Sequence, residues 1–290
     1  MTLSQSKALK RIQSLDGLPT LPAVMGRILE TLEDEASCAE DITNILSADP
    51  IISARVLRLA NSPFFGSRFE VDSIHRAIVT VGFEAVKQLA LATCVLDSLA
   101  SKKQSSFDPD DFWMHALGSA KAAQLLAFST RQIAMPEACF TGGLLHDLGK
   151  FVLALTLQQE YDVVVDAAIA EGVPLAVMEQ RMLQTDHNEV GGWLAQRWSF
   201  PEIIVASVRH ANEPERHDGS YRKEVLIVSL ASDMARIADF GQGGDTTGIS
   251  LNEGRVMSLG LELGQVAEIC DTLALMKEDG QALLGMLREA

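Results

Sequence analysis

Apolar residues along this chain recur every three or four positions and hardly ever alternate in twos, a pattern that predicts a succession of short helices. Leu3, Leu9, Ile12 and Leu15 mark one side of a first helix. Leu18-Pro19-Thr20-Leu21-Pro22 interrupts it, because each proline removes a donor and biases its predecessor away from helical backbone. Thr20 can cap a second helix that runs to about Glu33 and buries Val24, Ile28 and Leu32. Helices follow at 39–46, 51–60, 74–81 and 84–99. Ser47-Ala48-Asp49-Pro50 separates the first two, and Asn61-Ser62-Pro63-Phe64-Phe65-Gly66 forms a turn whose phenylalanines plug the bundle. Asp72 or Ser73 caps the helix at 74–81, and Gly82 ends it. The polar stretch 101–111 is the best internal boundary. Beyond it the pattern predicts helices at 112–128, 137–146, 149–157 (with an extension toward 165), 175–183, 189–198, 201–210 and 223–240, and two or three more from 252 onward. Residues 241–248 read as a flexible glycine loop. Helices joined by brief turns predict an all-α bundle, divided into an N-terminal helical subdomain (1–100), a helical core (107–240) and a C-terminal helical tail (249–290).

Composition narrows the partners. With 47% hydrophobic and 22% charged residues in 290, the chain has ample core material. No apolar stretch is expected to span a bilayer, and Met1–Lys7 lacks the apolar segment of a signal peptide. Cys38, Cys94, Cys139 and Cys270 lie far apart and are expected to be buried free thiols in a reducing cytoplasm. The formal net charge of −15 disfavours nucleic acid, since phosphate binding draws on clustered Lys and Arg. Residues 42–59 have a helix-turn-helix flavour with Arg55 and Arg58 at i, i+3, but Asp41 and Asp49 and the acidic whole argue against DNA. His75 and His217 are expected at the surface, Trp193 and Trp198 in the core. No GxSxG, Walker A or GxGxxG motif is present.

Candidate chemistry centres on Phe140-Thr141-Gly142-Gly143-Leu144-Leu145-His146-Asp147-Leu148-Gly149-Lys150. An imidazole beside a carboxylate offers N and O ligands suited to a first-row divalent metal. Adjacent helical residues diverge by about 100°, so the pair could grip one ion from two sides or the Asp could bridge two. The plainer alternative is a buried hydrogen-bonded couple holding helices together.

Several stretches together resemble the bacterial HDOD domain family. They are Leu18–Pro22, Ser47–Pro50, Val56-Leu-Arg-Leu-Ala-Asn-Ser62, Ala77–Gly82, Trp113 with His115, Gly142–Lys150, Asp186-His187-Asn-Glu-Val-Gly-Gly-Trp-Leu-Ala-Gln-Arg-Trp198 and Phe200-Pro201. The resemblance covers roughly residues 15–240. It implies an N-terminal helical bundle and an HD-like helical core, related to HD and HD-GYP metal-dependent phosphohydrolases but with an incomplete metal site.

The resemblance also assigns positions. His115, His146, Asp147 and His187 fall where metal ligands are expected, and Lys150 would contact a phosphate only in an active enzyme. The family commonly carries a His-His pair before an acidic-Pro dipeptide, and here Ala211 and Asn212 take those places, one step after His210. Ser232 takes the place of a last Asp, and Asp233 comes one position late. His210 and Asp233 would reach the site only after a local shift. The expectation is therefore a non-catalytic signal-transduction module that requires no cofactor and holds at most a weakly bound Fe, Mn, Ni, Zn or Mg ion. Its partners would be signalling proteins or a nucleotide-type small ligand, not nucleic acid or membrane. The alternative is a divalent-metal phosphohydrolase acting on nucleotides or cyclic dinucleotides.

Overall fold

A computed structural model of the chain describes every residue except 1–6, 14–22, 35, 66–70, 101–106, 132, 134–135, 246, 248–249 and 289–290. Expectations placed on Leu3, Leu15, the 18–22 breaker with its Thr20 cap, Gly66 and most of the 101–111 boundary lie outside the described residues. The helices are α1 (Lys7–Gln13), α2 (Ala23–Glu33), α3 (Ala39–Ser47), α4 (Pro50–Asn61), α5 (Ile74–Val81), α6 (Phe83–Ala100), α7 (Pro109–Ser129), α8 (Pro136–Leu145) and α9 (Leu148–Leu157). They continue as α10 (Gln159–Glu171), α11 (Leu175–Leu183), α12 (His187–Arg197), α13 (Glu202–His210), α14 (Arg222–Ile237), α15 (Glu253–Ser258), α16 (Leu263–Leu275) and α17 (Lys277–Arg288). No strand occurs among the described residues, and the protein is all-α.

The helix starts follow from local chemistry. Asp49 accepts hydrogen bonds from the Ile51 and Ile52 amides ahead of Pro50, and Asp108 does the same for Asp110 ahead of Pro109. Ser73 caps α5 through the Arg76 amide, and Asp186 caps α12 through that of Glu189. Each such cap is worth about 1 kcal/mol. One break carries no proline or glycine signal. Gln158 adopts φ 48° and ends α9 at Leu157, where the 149–157 helix was expected to stop, so that a separate α10 takes the place of the extension toward 165.

The chain forms two compact units. One comprises residues 19–101, 199–201 and 275–290, in which α2, α4 and α5 each pack on α6. Its core includes Met25, Ile28, Ile42, Leu46, Val56 and Phe64; Phe65 is only half-buried. The other comprises residues 1–18, 102–198 and 202–274. There α7 lies against α8 and α14, while α12 packs on α9 and α13. The α9–α12 contact is a backbone approach. A Cβ on Gly149 would sit 1.8 Å from the His187 carbonyl oxygen and 2.7 Å from the Gly191 nitrogen.

Four sequence expectations need correction, the first being Trp193, which is half-buried while Trp198 is in the core. Residues 136–157 are long and apolar enough to cross a membrane, yet most of that stretch is buried inside the protein and a turn breaks it into α8 and α9. Cys38 is exposed, while Cys94, Cys139 and Cys270 are buried free thiols. His217 is half-buried against His210, ring centroids 5.1 Å apart.

Candidate metal centre

The centre is built from α7, the turn between α8 and α9, and the start of α12, with α11 and α14 beside them, all in the second unit. His146 and Asp147 are not successive positions of one helix, as the sequence suggested, but the two-residue turn between α8 and α9. Their side chains therefore converge, with His146 Nε2 3.4 Å from Asp147 Oδ2. His115, from the middle of α7, brings its Nε2 to 3.6 Å from the same oxygen. His187, at the start of α12, lies 3.6 Å from the other oxygen, Oδ1. His115, His146 and Asp147 offer ligand atoms all within 4.8 Å of one another; His187 stands outside that trio.

Hydrogen bonds fix which atoms are available. His146 Nδ1–H donates to the Gly143 carbonyl at 2.7 Å, which leaves Nε2 a bare lone pair. That Nε2 is buried without a partner. Burial holds both His146 and His115 below the ordinary histidine range, so both are neutral near pH 7. Burial alone would raise the Asp147 carboxyl, but the fields of His146, Lys150, His187 and His115 override it and hold it far below the usual range. Two neutral imidazole nitrogens thus face one carboxylate oxygen at 3.4 and 3.6 Å. His146 Nε2 and Asp147 Oδ2 are both acceptors, and two acceptors meeting in a buried place call for a cation between them. The chain supplies one from the side: Lys150 Nζ donates to Asp147 Oδ2 at 2.8 Å. The donor set of imidazole nitrogen and carboxylate oxygen fits a first-row divalent ion.

His187 has its own support. Glu179, fully buried on α11, accepts from His187 Nδ1–H at 2.7 Å, from the His187 amide at 2.8 Å and from the Tyr161 hydroxyl at 2.5 Å. Burial pulls the His187 pKa down, but the Glu179 carboxylate outweighs it, and the net shift is upward. Sequence reading missed Glu179. Its signal was a charged residue on the same helical face as Leu175 and Met178.

The far side of the centre is neutral. The Asn212 amide hydrogen-bonds His187 Nε2 at 2.9 Å, and Ser232 Oγ lies 3.3 Å from His115 Nε2. Asp233 pairs instead with Arg236 at 2.7 Å, and His210 turns to His217. Arg255 of α15 braces this side through Glu215, Ser229 and the Asn212 carbonyl. The loop read as flexible is folded onto the centre. Asp111 of α7 accepts the Gln242 and Gly243 amides, and the Gly243 carbonyl accepts from Lys150 Nζ at 3.0 Å. Gly243 has φ +61°, and a Cβ there would meet His115 Cδ2 at 2.5 Å and Asp147 Oδ2 at 3.0 Å.

Helices carrying a buried histidine–aspartate turn at their centre define an HD-like all-α domain. The HDOD domain family profile matches residues 18–214, and the chain belongs to that family. It is similar to an HDOD domain protein of unknown function from Geobacter sulfurreducens, with a TM-score of 0.82 at 26% identity over 97% of this chain and 96% of that one. It is also similar to a protein of Shewanella amazonensis whose name proposes a phosphohydrolase, with a TM-score of 0.76 at 28% identity over 98% and 99% of the two chains. An uncharacterized protein of Treponema pallidum is 27% identical over 229 residues, 78% of this chain and 43% of that protein. The chain therefore spans less than half the length of that curated relative.

Proposed function

We propose that this domain is a non-catalytic regulatory module of bacterial signalling, working in the cytoplasm through contacts with signalling proteins or a nucleotide-type small ligand. In this reading His115, His146, Asp147 and His187 are a residual metal site. The observation that carries it is the far side of the centre, where neutral Asn212 and Ser232 stand and Asp233 and His210 are engaged elsewhere. The two-metal form of phosphoester hydrolysis clamps both the attacking and the leaving oxygen, which needs ligands on both sides. Any ion here also shares Asp147 with the Lys150 ammonium, 2.8 Å away. Iron, nickel or zinc suits the imidazole-rich donors better than manganese or magnesium.

The second reading, a divalent-metal phosphohydrolase, draws on the unpartnered His146 Nε2 and on the name of the Shewanella relative. Metal analysis together with a phosphodiesterase screen supplemented with manganese or iron separates the two. Sub-stoichiometric metal and no turnover are expected. Asn212→His combined with Ser232→Asp, which returns two ligand types to the far side, is expected to raise metal retention. Robust hydrolysis by the unaltered protein that is lost in His146→Ala would establish the enzyme and refute the regulatory reading.

A further inference from the structure

His115, His146, Asp147 and Lys150 are each no more than 2% exposed, so nothing reaches them from solvent without a local opening. The segment that lies directly on them is Gly241-Gln242-Gly243-Gly244-Asp245, with Gly243 against both His115 and Asp147. This strap contributes no apolar side chain to the core, and Gly241, Gly243 and Gly244 all have positive φ (85°, 61° and 79°). A few polar ties hold it: two amides on Asp111, the Gly243 carbonyl on Lys150 and the Asp245 carboxylate on the Leu175 amide. A segment held by polar ties alone opens at far lower cost than one anchored by buried apolar side chains. The flanking helices α7 and α9, by contrast, are buried along most of their length.

We propose that the Gly241–Asp245 strap is a removable cover of the metal site. Closed, it offers Lys150 a backbone carbonyl and seals the histidine–aspartate turn; open, it admits a divalent ion. The proposal rests on reading His115, His146 and Asp147 as a metal site. Asp111 is its hinge pin, reaching the strap from 131 residues away in sequence without belonging to the ligand set.

The test uses Co2+ alone as probe, with its uptake followed by visible absorption, and hydrogen exchange of the Gln242 and Gly243 amides as a metal-free readout. Asp111→Asn weakens the ties, and Gly243→Ala blocks closure with its Cβ; both variants are checked for native helicity. Uptake by the unaltered protein is expected to be slow and limited by strap opening. Either variant should take up Co2+ about tenfold faster, the scale of one lost charge-assisted hydrogen bond, with strap amides exchanging faster in parallel. Equal uptake rates in the unaltered protein and both variants, with the strap amides deprotected in the variants, would overturn the cover while leaving the metal site standing. No Co2+ bound by any form, or binding that survives His146→Ala, would instead overturn the metal site and the cover with it.

Discussion

Glu179 is the residue whose removal tests the centre's internal wiring most directly. Glu179→Ala strands three buried donors at once: the Tyr161 hydroxyl, His187 Nδ1–H and the His187 amide. A stranded buried donor costs about 1–3 kcal/mol, and breaking a buried charged pair costs about 3–5 kcal/mol in all. Because the three share one carboxylate, the upper sum is not reached, and a loss of about 4 kcal/mol is expected. That is a large part of the ~5–15 kcal/mol by which domains are stable. Glu179→Gln makes the reasoning sharper. Its carbonyl oxygen can still accept both His187 donors, but its NH2 faces the Tyr161 oxygen and leaves the hydroxyl proton without its acceptor, so the charge and one of three hydrogen bonds are lost and about 2 kcal/mol is expected. All three tryptophans, Trp113, Trp193 and Trp198, lie in the same unit as Glu179, so tryptophan fluorescence during urea unfolding reports on that unit. A Glu179→Ala cost below about 1 kcal/mol, or a Gln variant as damaged as the Ala one, would refute the three-donor account.

Other outcomes follow from the same geometry. Gly149→Ala should destabilise by more than the usual ~1–3 kcal/mol of overpacking, because its Cβ meets backbone on α12 at 1.8 Å. Gly26→Ala in α2, where nothing lies within 4 Å, should be neutral or stabilise by up to ~1 kcal/mol, and calorimetry on both variants checks the contrast. In metal-free protein, His115 and His146 are held neutral by burial while their unfolded forms titrate near pH 6.5. The unfolded chain then binds the extra protons, so stability falls as pH drops below about 6.5, by up to ~1.4 kcal/mol per pH unit for each histidine. His187, shifted upward, works the other way and loses its contribution as pH rises through its folded value. Urea midpoints that stay flat between pH 6.5 and 5, or that fall equally steeply in His146→Gln, would contradict this assignment.

Much of this fold was legible because its helices announce their own starts. Asp49-Pro50 places a cap and a ring where α4 turns helical, and the apolar stripes between such stops give the helix lengths, whereas the same pair at Asp108-Pro109 was read as boundary and α7 starts three residues before the expected 112. The end of α9 at Leu157 was legible too, whereas the positive φ of Gln158 was not, because no local residue type demands it. The break at His146-Asp147 was legible, with helices expected at 137–146 and 149–157, but not that His146 leaves its helix and turns with Asp147 toward one point. Nor could composition reveal the strap. Glycines and polar residues look mobile in isolation, and what fixes them is a carboxylate 131 residues earlier. For Asn212 and Ser232 a residue-by-residue match to the family pattern was the informative signal, whereas helical periodicity by itself would have offered His210 and Asp233 just as readily.

The centre shows why an HD motif does not by itself identify a hydrolase. Nearly every polar atom that a metal would engage already has a protein partner. Asp147 has Lys150, His187 has Glu179 and Asn212, and His115 has the hydroxyls of Ser119 and Ser232. A buried polar network satisfied from within stabilises the helices around it whether or not an ion is present. The same histidines and aspartate can therefore hold the fold together in a chain that performs no hydrolysis. Two ring nitrogens are exceptions: His115 Nδ1, on the side of its ring away from Asp147, and His146 Nε2, a buried lone pair aimed at Asp147 with no protein donor to meet it. If the centre senses anything, His146 Nε2 is where an ion would be felt first. The route from there runs through the α8–α9 turn to Lys150 and out to the strap that Lys150 holds.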